Sequence, residues 1–300
     1  MLENKIAYSR ENLSGGVRIK MASTFRDVSH AVNFVMPSEL LEVKSPKIVV
    51  TADIGNYSGQ EAFIESAACN KELIFLNFID YPALDNLPSN MFTINVIWTG
   101  DDPRFIGKFF KILPHLYLEE FKENLWIDSN IKLSSISSFF ECLKPYDFSC
   151  MLHDKRKTII SEAEEIIFQG KDDKLIIEGL LNSYEEKVYD FKKLPLLAGR
   201  FLYRKNNDQI IKFNQIWFDL LVNGSIRDQL SLPIAESKVE IKTYLLPSDH
   251  SKNLFKVQFH NKYDVGKYGN GAEQIIRSYI SRLKYKASFI LHSINFFIKK

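Results

Sequence analysis

The sequence predicts an α/β fold in which a mixed, mainly parallel sheet is flanked by helices. Two observations carry that reading. Short runs rich in β-branched residues, "KIVVTADIGNY", "ELIFLNFID" and "FTINVIWTG", each stop at acid, glycine or proline signals, as buried strands do. The segments between them are long enough for helices or crossovers, the connections that parallel strands need. With 300 residues, 45% hydrophobic and 25% charged, the chain has the apolar material for one substantial core. The expected organisation is an N-terminal extension over residues 1–45, a single α/β domain over 46–270 and a terminal helix over 271–300.

Residues 1–45 read as polar and weakly periodic, with Gly15, Gly16 and Pro37 as punctuation, and so as an extension that leans on the domain. After the first three strands, "DDPRFIGKFFKILPHLY" opens with the Asp and Pro of a helix start and carries Phe105, Ile106, Phe109, Ile112 and Leu113 at helical spacing. "NLWID" is the next strand. "TIISEAEEIIFQG" and "DDKLIIEGLLNSYEEKVYDF" have apolar residues at three- and four-residue intervals, with Gly170 between them as a C-cap, and predict amphipathic helices. "LLAGRFLYRK" predicts a strand, and Ile210, Phe213, Trp217, Leu220 and Leu221 mark the buried stripe of a helix closed by Asn223 and Gly224. "KVEIKTYLLP" and "NLFKVQFHNK" alternate like edge strands.

The 39 basic and 37 acidic residues nearly cancel, so no chain-wide basic field recruits nucleic acid, and any anion site must be local. The first residues lack the apolar core of a secretory signal, and no run is long enough to span a bilayer, so the expectation is a cytoplasmic chain. Cys69, Cys142 and Cys150 are odd in number and lack CxxC spacing, which argues against a disulfide framework or a zinc site.

The stretch "NLWIDSNIKL" raises the functional question. Leu125, Trp126 and Ile127 anchor a strand, and Asp128 and Asn130 follow at its exit with Ser129 between them. Strand ends in an open α/β sheet face the crevice where ligands bind. Side chains two apart on an extended chain point the same way, so both oxygens could reach one point. Carboxylate and amide oxygens are hard donors suited to Mg²⁺ or Mn²⁺ beside phosphate oxygens. An Asp-x-Asn after a strand is also an ordinary turn, with the side chains bonding nearby amides.

The run "DPRFIGKFFKILPHLYLEEFKENLWIDSNIKL" resembles a signature of a glycosyltransferase-like family, formerly of unknown function, that includes the plant turgor regulation defect protein and mucilage-related glycosyltransferases. "VVTADIGNY", "LNFID", "LHDKR" with "EAEE", "KFNQIWFDLL" and "SIRDQLSLP" resemble further segments of that family in the same order, over roughly residues 47 to 235. The resemblance implies a GT-A, Rossmann-type catalytic domain that binds a nucleotide-diphosphate sugar donor and passes the sugar to a glycan or lipid-linked acceptor. In such a domain an Asp-x-Asp-like element holds Mn²⁺ or Mg²⁺ against the diphosphate. Asp128 and Asn130 match that element, and Asn130 departs from it by bringing no charge. Thr51, Ala52 and Asp53 stand where a nucleotide base and ribose would lie, and Asp80 ends the second strand, with capping of the following segment as the alternative fate of either acid.

Arg104 and Lys108 are four apart on one predicted helix and could bind phosphate or base, or form a solvated face. His153 and Arg156 are implied by family position, and Ser129 by its place in the motif. Asp228 and Gln229 are the candidates for acceptor or sugar contact, with Asp228 as the base of an inverting route and N-terminal capping as the competing role. His260 could complete a metal shell, or be a surface or packed histidine. The segment 272–300 carries Ile276, Ile280, Leu283, Ala287, Ile290, Ile294 and Phe297 on one stripe beside Arg277, Arg282, Lys284 and Lys286. It could lie on an anionic membrane at the inner face, or pack on the domain or another subunit. Two other functions compete with sugar transfer: a ceramidase-like lipid amide hydrolase, for which no Ser-His-Asp or multi-histidine pattern is apparent, and a non-catalytic nucleotide-sugar-binding module.

Overall fold

A computed structural model describes residues 6–43, 47–56, 58–187, 190–247 and 254–258. Segment 271–300 and His260 lie outside the described residues. The chain begins with an antiparallel meander, β1 (Ala7–Leu13), β2 (Gly16–Phe25) and β3 (Val28–Pro37), followed by a short helix α1 (Ser38–Leu41). This region departs from the polar extension expected of residues 1–45. Val17, Ile19, Met21 and Phe25 alternate along β2 and are buried, with Val32, Phe34 and Met36 beside them on β3. Arg26 and Asp27 close the β2–β3 hairpin at φ of 50° and 64°, the left-handed pair that a tight two-residue turn requires.

Next come β4 (Lys47–Asp53), α2 (Glu61–Cys69), β5 (Ile74–Ile79), β6 (Met91–Asn95) and β7 (Ile97–Thr99). "FTINVIWTG" is therefore not one strand. Val96 donates its N–H to Ile79 O at 2.7 Å, and the chain then leaves β5 and pairs with β3 in the meander. Helix α3 (Pro103–Ile112) follows, capped by Asp102, whose carboxylate accepts from Arg104 N. Then come β8 (Glu123–Ile127), β9 (Ile131–Leu133), α4 (Ser137–Leu143), β10 (Phe148–Leu152), α5 (Ile159–Phe168) and α6 (Lys174–Lys187). The chain continues through β11 (Leu197–Lys205), α7 (Asp208–Val222), a 3₁₀ turn at Asp228–Leu230, α8 (Leu232–Ser237), β12 (Thr243–Leu246) and β13 (Phe255–Val257).

The central sheet has seven strands in the order β12-β10-β11-β8-β4-β5-β6. Strand β11 runs antiparallel to both of its neighbours, and the other adjacent pairs are parallel, which gives the mixed, mainly parallel sheet that the alternation of elements predicts. Successive side chains of β4 enter opposite layers. Ile48 and Val50 join α3, α7 and the meander, whereas Val49 joins α2, α4 and β9. The small β13–β9 ladder lies beside this second layer.

Helix α3 is held by aromatic packing. Phe110 stacks on Phe78 at 4.2 Å between ring centroids and meets Phe34 and Tyr117, so β3, β5 and α3 share one cluster. Truncating Phe110 to Ala should cost about 3–5 kcal/mol, read as a lowered urea midpoint with an unchanged slope. A loss within the range of a surface substitution would mean that α3 is not anchored by this cluster.

Candidate functional site

Strands β4, β5, β8 and β10 end on one edge of the sheet, at Asp53, Ile79, Ile127 and Leu152. The carboxyl edge of an open sheet is the place where loop amides and helix termini converge. Asp128 leaves β8 there. Its N–H donates to Arg200 O at 3.0 Å, its carbonyl accepts from Ile131 N at 2.9 Å, and its Oδ1 accepts from Trp126 Nε1 at 3.0 Å. The backbone does turn here, but the carboxylate bonds the Trp126 indole and Lys111 in place of nearby amides and remains 41% exposed.

Behind Asp128 lies a buried ionic cluster. Lys108 Nζ is 3.0 Å from Asp228 Oδ1, and Lys111 Nζ is 2.8 Å from Asp228 Oδ2 and 3.4 Å from Asp128 Oδ1. Lys108 and Lys111 are one turn apart on α3, whose opposite face buries Phe105, Phe109 and Phe110. Asp228 reaches them from the 3₁₀ turn after α7 and is only 5% exposed as a residue. Burial opposes its charge, but Lys108 and Lys111 together hold the Asp228 carboxyl far below the usual carboxylate range. Burial pulls Lys108 down to about 8 even though Asp228 counters it, whereas Asp128 and Asp228 outweigh burial at Lys111 and raise its pKa.

The sheet makes room for this cluster. The β10–β11 register breaks between Cys150 and Met151, where Leu202 and Ala198 are the successive partners, so β11 bulges at residues 199–201. Gly199 lies in the bulge. A Cβ there would sit 3.1 Å from Lys111 Nζ and 3.3 Å from Asp228 Oδ2, inside ordinary contact distance. The sequence reading missed Lys111. Its signal was a second lysine one turn beyond Lys108 on the same face.

The other expected site residues are divided. Asn130 donates through Nδ2 to Gln258 O at 3.1 Å and accepts through its backbone carbonyl from Gln258 N at 2.8 Å, so any metal contact would have to use Oδ1. Thr51 is fully buried with a hydroxyl that finds no partner among the described residues, and Ser129 is 8% exposed, so neither faces a ligand as expected. Asp53 is spent on its own loop. It accepts from Ser58 N, Gly59 N and the Tyr81 hydroxyl, and Ala52 is the half-buried member of that trio. Asp80 ties the Gly55 amide to the Trp98 indole, which joins the β4 loop to β7 in place of capping the next segment.

Arg104 folds back on Asp102, whereas Lys108 pairs with Asp228. Burial keeps His153 below its ordinary pKa, and its Nδ1 accepts from Lys155 N at 3.2 Å and Arg156 N at 3.0 Å, so it organises a turn. Arg156 pairs with the buried Glu162. Gln229 is half-buried beside Asp228. Each Asp228 oxygen lies beside a lysine and its pKa is depressed, which weakens it as a base. In this structure Asp228 is the counter-ion of two lysines.

A divalent ion is implied by the resemblance, and the donor set limits how it could be held. Among the described residues no three His, Cys, Asp or Glu side chains gather to form a cage. One solvent-reaching carboxylate, Asp128, fits the open type of Mg²⁺ or Mn²⁺ site in which substrate phosphates and water supply most ligands.

Removing the Asp228 charge should be severe. Asp228→Ala leaves Lys108 without its counter-ion and Lys111 with Asp128 alone, and should cost about 3–5 kcal/mol in urea unfolding. Because its folded pKa lies below its unfolded one, the stabilisation by Asp228 is complete above the ordinary carboxylate range and is lost as pH falls. The wild-type urea midpoint should drop on acidification more steeply than that of the variant, and parallel pH profiles would refute the cluster.

Among known proteins, the chain is 26% identical over 181 residues to a probable hexosyltransferase, MUCI70, of Arabidopsis thaliana, a match covering 56% of this chain and 31% of that relative. Among solved structures, the galactosyltransferase LgtC with donor and acceptor sugar analogs aligns with a TM-score of 0.44 at 9% identity, over 77% of this chain and 95% of that one. The bifunctional glycosyltransferase WbbM in its apo form aligns with a TM-score of 0.42 at 9% identity, over 79% and 45%. Structural likenesses at this level carry no argument about chemistry. The model of the TOD1/MUCI70 glycosyltransferase-like domain matches residues 35–263, most of the chain, and the protein belongs to that family.

Proposed function

We propose that this chain is a GT-A-type glycosyltransferase that moves a sugar from a nucleotide-diphosphate donor to a glycan or lipid-linked acceptor. One observation carries the reading: the exposed carboxylate of Asp128 stands at a strand exit directly against the Lys108–Lys111–Asp228 cluster. Breaking the bond from sugar to diphosphate leaves negative charge on the departing phosphate, and fixed cations aimed at that charge lower the barrier. Lys111 supplies one such cation, and Asp228 keeps it from swinging away. Mg²⁺ or Mn²⁺ held by Asp128, and by Asn130 through Oδ1, would supply Lewis-acid neutralisation of the same phosphates. His260 belongs to the same proposal as a further ligand, on sequence grounds alone.

Gln229, half-buried beside Asp228, is placed in this reading to hydrogen-bond the transferred sugar. In this reading Ala52, His153 and Arg156 are assigned to the donor-binding side on sequence grounds. No helix among the described residues is long and apolar enough to cross a membrane. Contact with an anionic membrane surface through residues 272–300, at the cytoplasmic face, is part of the proposal and rests on the basic stripe in the sequence.

The test is release of nucleotide from uridine- and guanosine-diphosphate sugars, with and without Mn²⁺ or Mg²⁺, against a panel of glycan and lipid-linked acceptors. Asp128→Ala and Lys111→Met should each lower turnover by about 10²–10³-fold. No release from any donor, or an Asp128→Ala variant as active as wild type, would overturn the reading. Because Lys108 titrates at about 8, turnover should decline as pH rises through that value. Lys108→Arg, which stays charged, should flatten the alkaline limb, and an unchanged limb would remove Lys108 from the chemistry.

A further inference from the structure

A second group of cations lies next to the cluster and forms no ion pair among the described residues. Arg227 precedes Asp228, and its Nε is buried without a hydrogen-bond partner; no carboxylate of the described residues lies within ion-pair distance of its guanidinium. Arg227 directly precedes Asp228 of the cluster, and its charge also lowers the pKa of Lys171. Lys171 also forms no ion pair among the described residues; Glu162 is paired with Arg156, and Glu165 acts on Lys171 from beyond ion-pair distance. Lys171 reaches the surface, and partial desolvation and then the Arg227 charge lower the pKa of its ammonium. Like charges brought near one another repel.

A buried carboxylate positions their loops. Asp172, whose side chain is only 2% exposed, accepts from Ser225 Oγ at 2.5 Å and from Ile226 N at 3.2 Å, and Ser225 Oγ in turn accepts from Arg227 N at 3.1 Å. The other oxygen of Asp172 takes Arg26 at 2.6 Å from the tip of the β2–β3 hairpin. The loop that carries Lys171 and the loop that carries Arg227 are thereby held together. Asp172 itself is paired with Arg26 and with neither Lys171 nor Arg227.

We infer that Arg227 and Lys171 form an oxyanion-binding subsite that receives a phosphoryl or carboxylate group of the substrate. The inference deepens the sugar-transfer reading and takes its candidate ligands from it: the diphosphate of the donor, or an acidic sugar of the acceptor. Both sources present oxygens that a guanidinium and an ammonium bind through charge-assisted hydrogen bonds.

Calorimetric titration of the full chain with inorganic pyrophosphate, uridine diphosphate and glucuronic acid, without metal, tests it. Wild type should bind at least one probe, and Arg227→Gln and Lys171→Gln should each weaken that binding about tenfold or more. Lys174→Gln, which removes an exposed lysine paired with Glu178 on α6, should leave it unchanged. Lys171 lies on the surface, so its variant keeps the wild-type melting temperature and stands in if the Arg227 variant does not fold. Loss confined to pyrophosphate and uridine diphosphate assigns the subsite to the donor, and loss confined to glucuronic acid assigns it to the acceptor. Binding of no probe by wild type, or binding indifferent to both variants, overturns the subsite. Pyrophosphate binding that needs Arg227 and Lys171 in a chain that releases no nucleotide keeps the subsite and discards sugar transfer.

Discussion

The structure turns on one carboxylate shared by two lysines. Lys108 and Lys111 lie one turn apart on α3, and at that distance their charges repel unless an anion stands between them. Asp228 supplies it from a different part of the chain, with an oxygen for each ammonium. Burying such a group rarely improves stability over an apolar replacement, because desolvation offsets most of the attraction. What it secures is position. The rotation of α3, the path of the turn after α7 and the bulge of β11 at Gly199 must all agree for the distances to hold.

From that point the rest of the carboxyl edge takes its form. Asp128 meets Lys111 on the solvent side, so charge runs from the buried cluster to the surface without a break. The loops after β4 and β5 are shaped by Asp53 and Asp80, acids that the sequence offered as ligand contacts and that the fold uses to tie amides, a phenol and an indole. Burial and Asp53 together raise the Tyr81 hydroxyl well above its ordinary pKa, which keeps it a neutral donor in that loop. The N-terminal meander has a comparable bracing part. It packs on α3 through Phe25 and Phe34, accepts β7 as a fourth strand, and sends Arg26 to Asp172.

Much of the architecture was legible because it depends on local periodicity. The first two β-branched runs became β4 and β5, "NLWID" became β8, and the three- and four-residue spacing became α3, α5, α6 and α7. Two misreadings have physical causes. The alternation of Val17, Ile19 and Met21 is diluted by Arg18 and Lys20, which point outward, so the meander looked like a polar extension. "FTINVIWTG" keeps one apolar pattern while its backbone partners change at Val96, and pairing leaves no trace in composition.

The candidate site divides in the same way. Asp128 was visible as an acid at a strand exit, and Lys108 as a cation on an exposed helical face. By itself the sequence determined the layered α/β class, the strand that delivers Asp128 and the helix that carries the lysines, because hydrophobic spacing and capping act between near neighbours in the chain. Only the tertiary structure decided that Asp228 neutralises lysines, that Lys111 joins Asp128, that Asp53 serves its loop, and that Arg227 and Lys171 form no ion pair among the described residues. Charge pairing depends on distance through space, which packing sets between residues far apart in sequence.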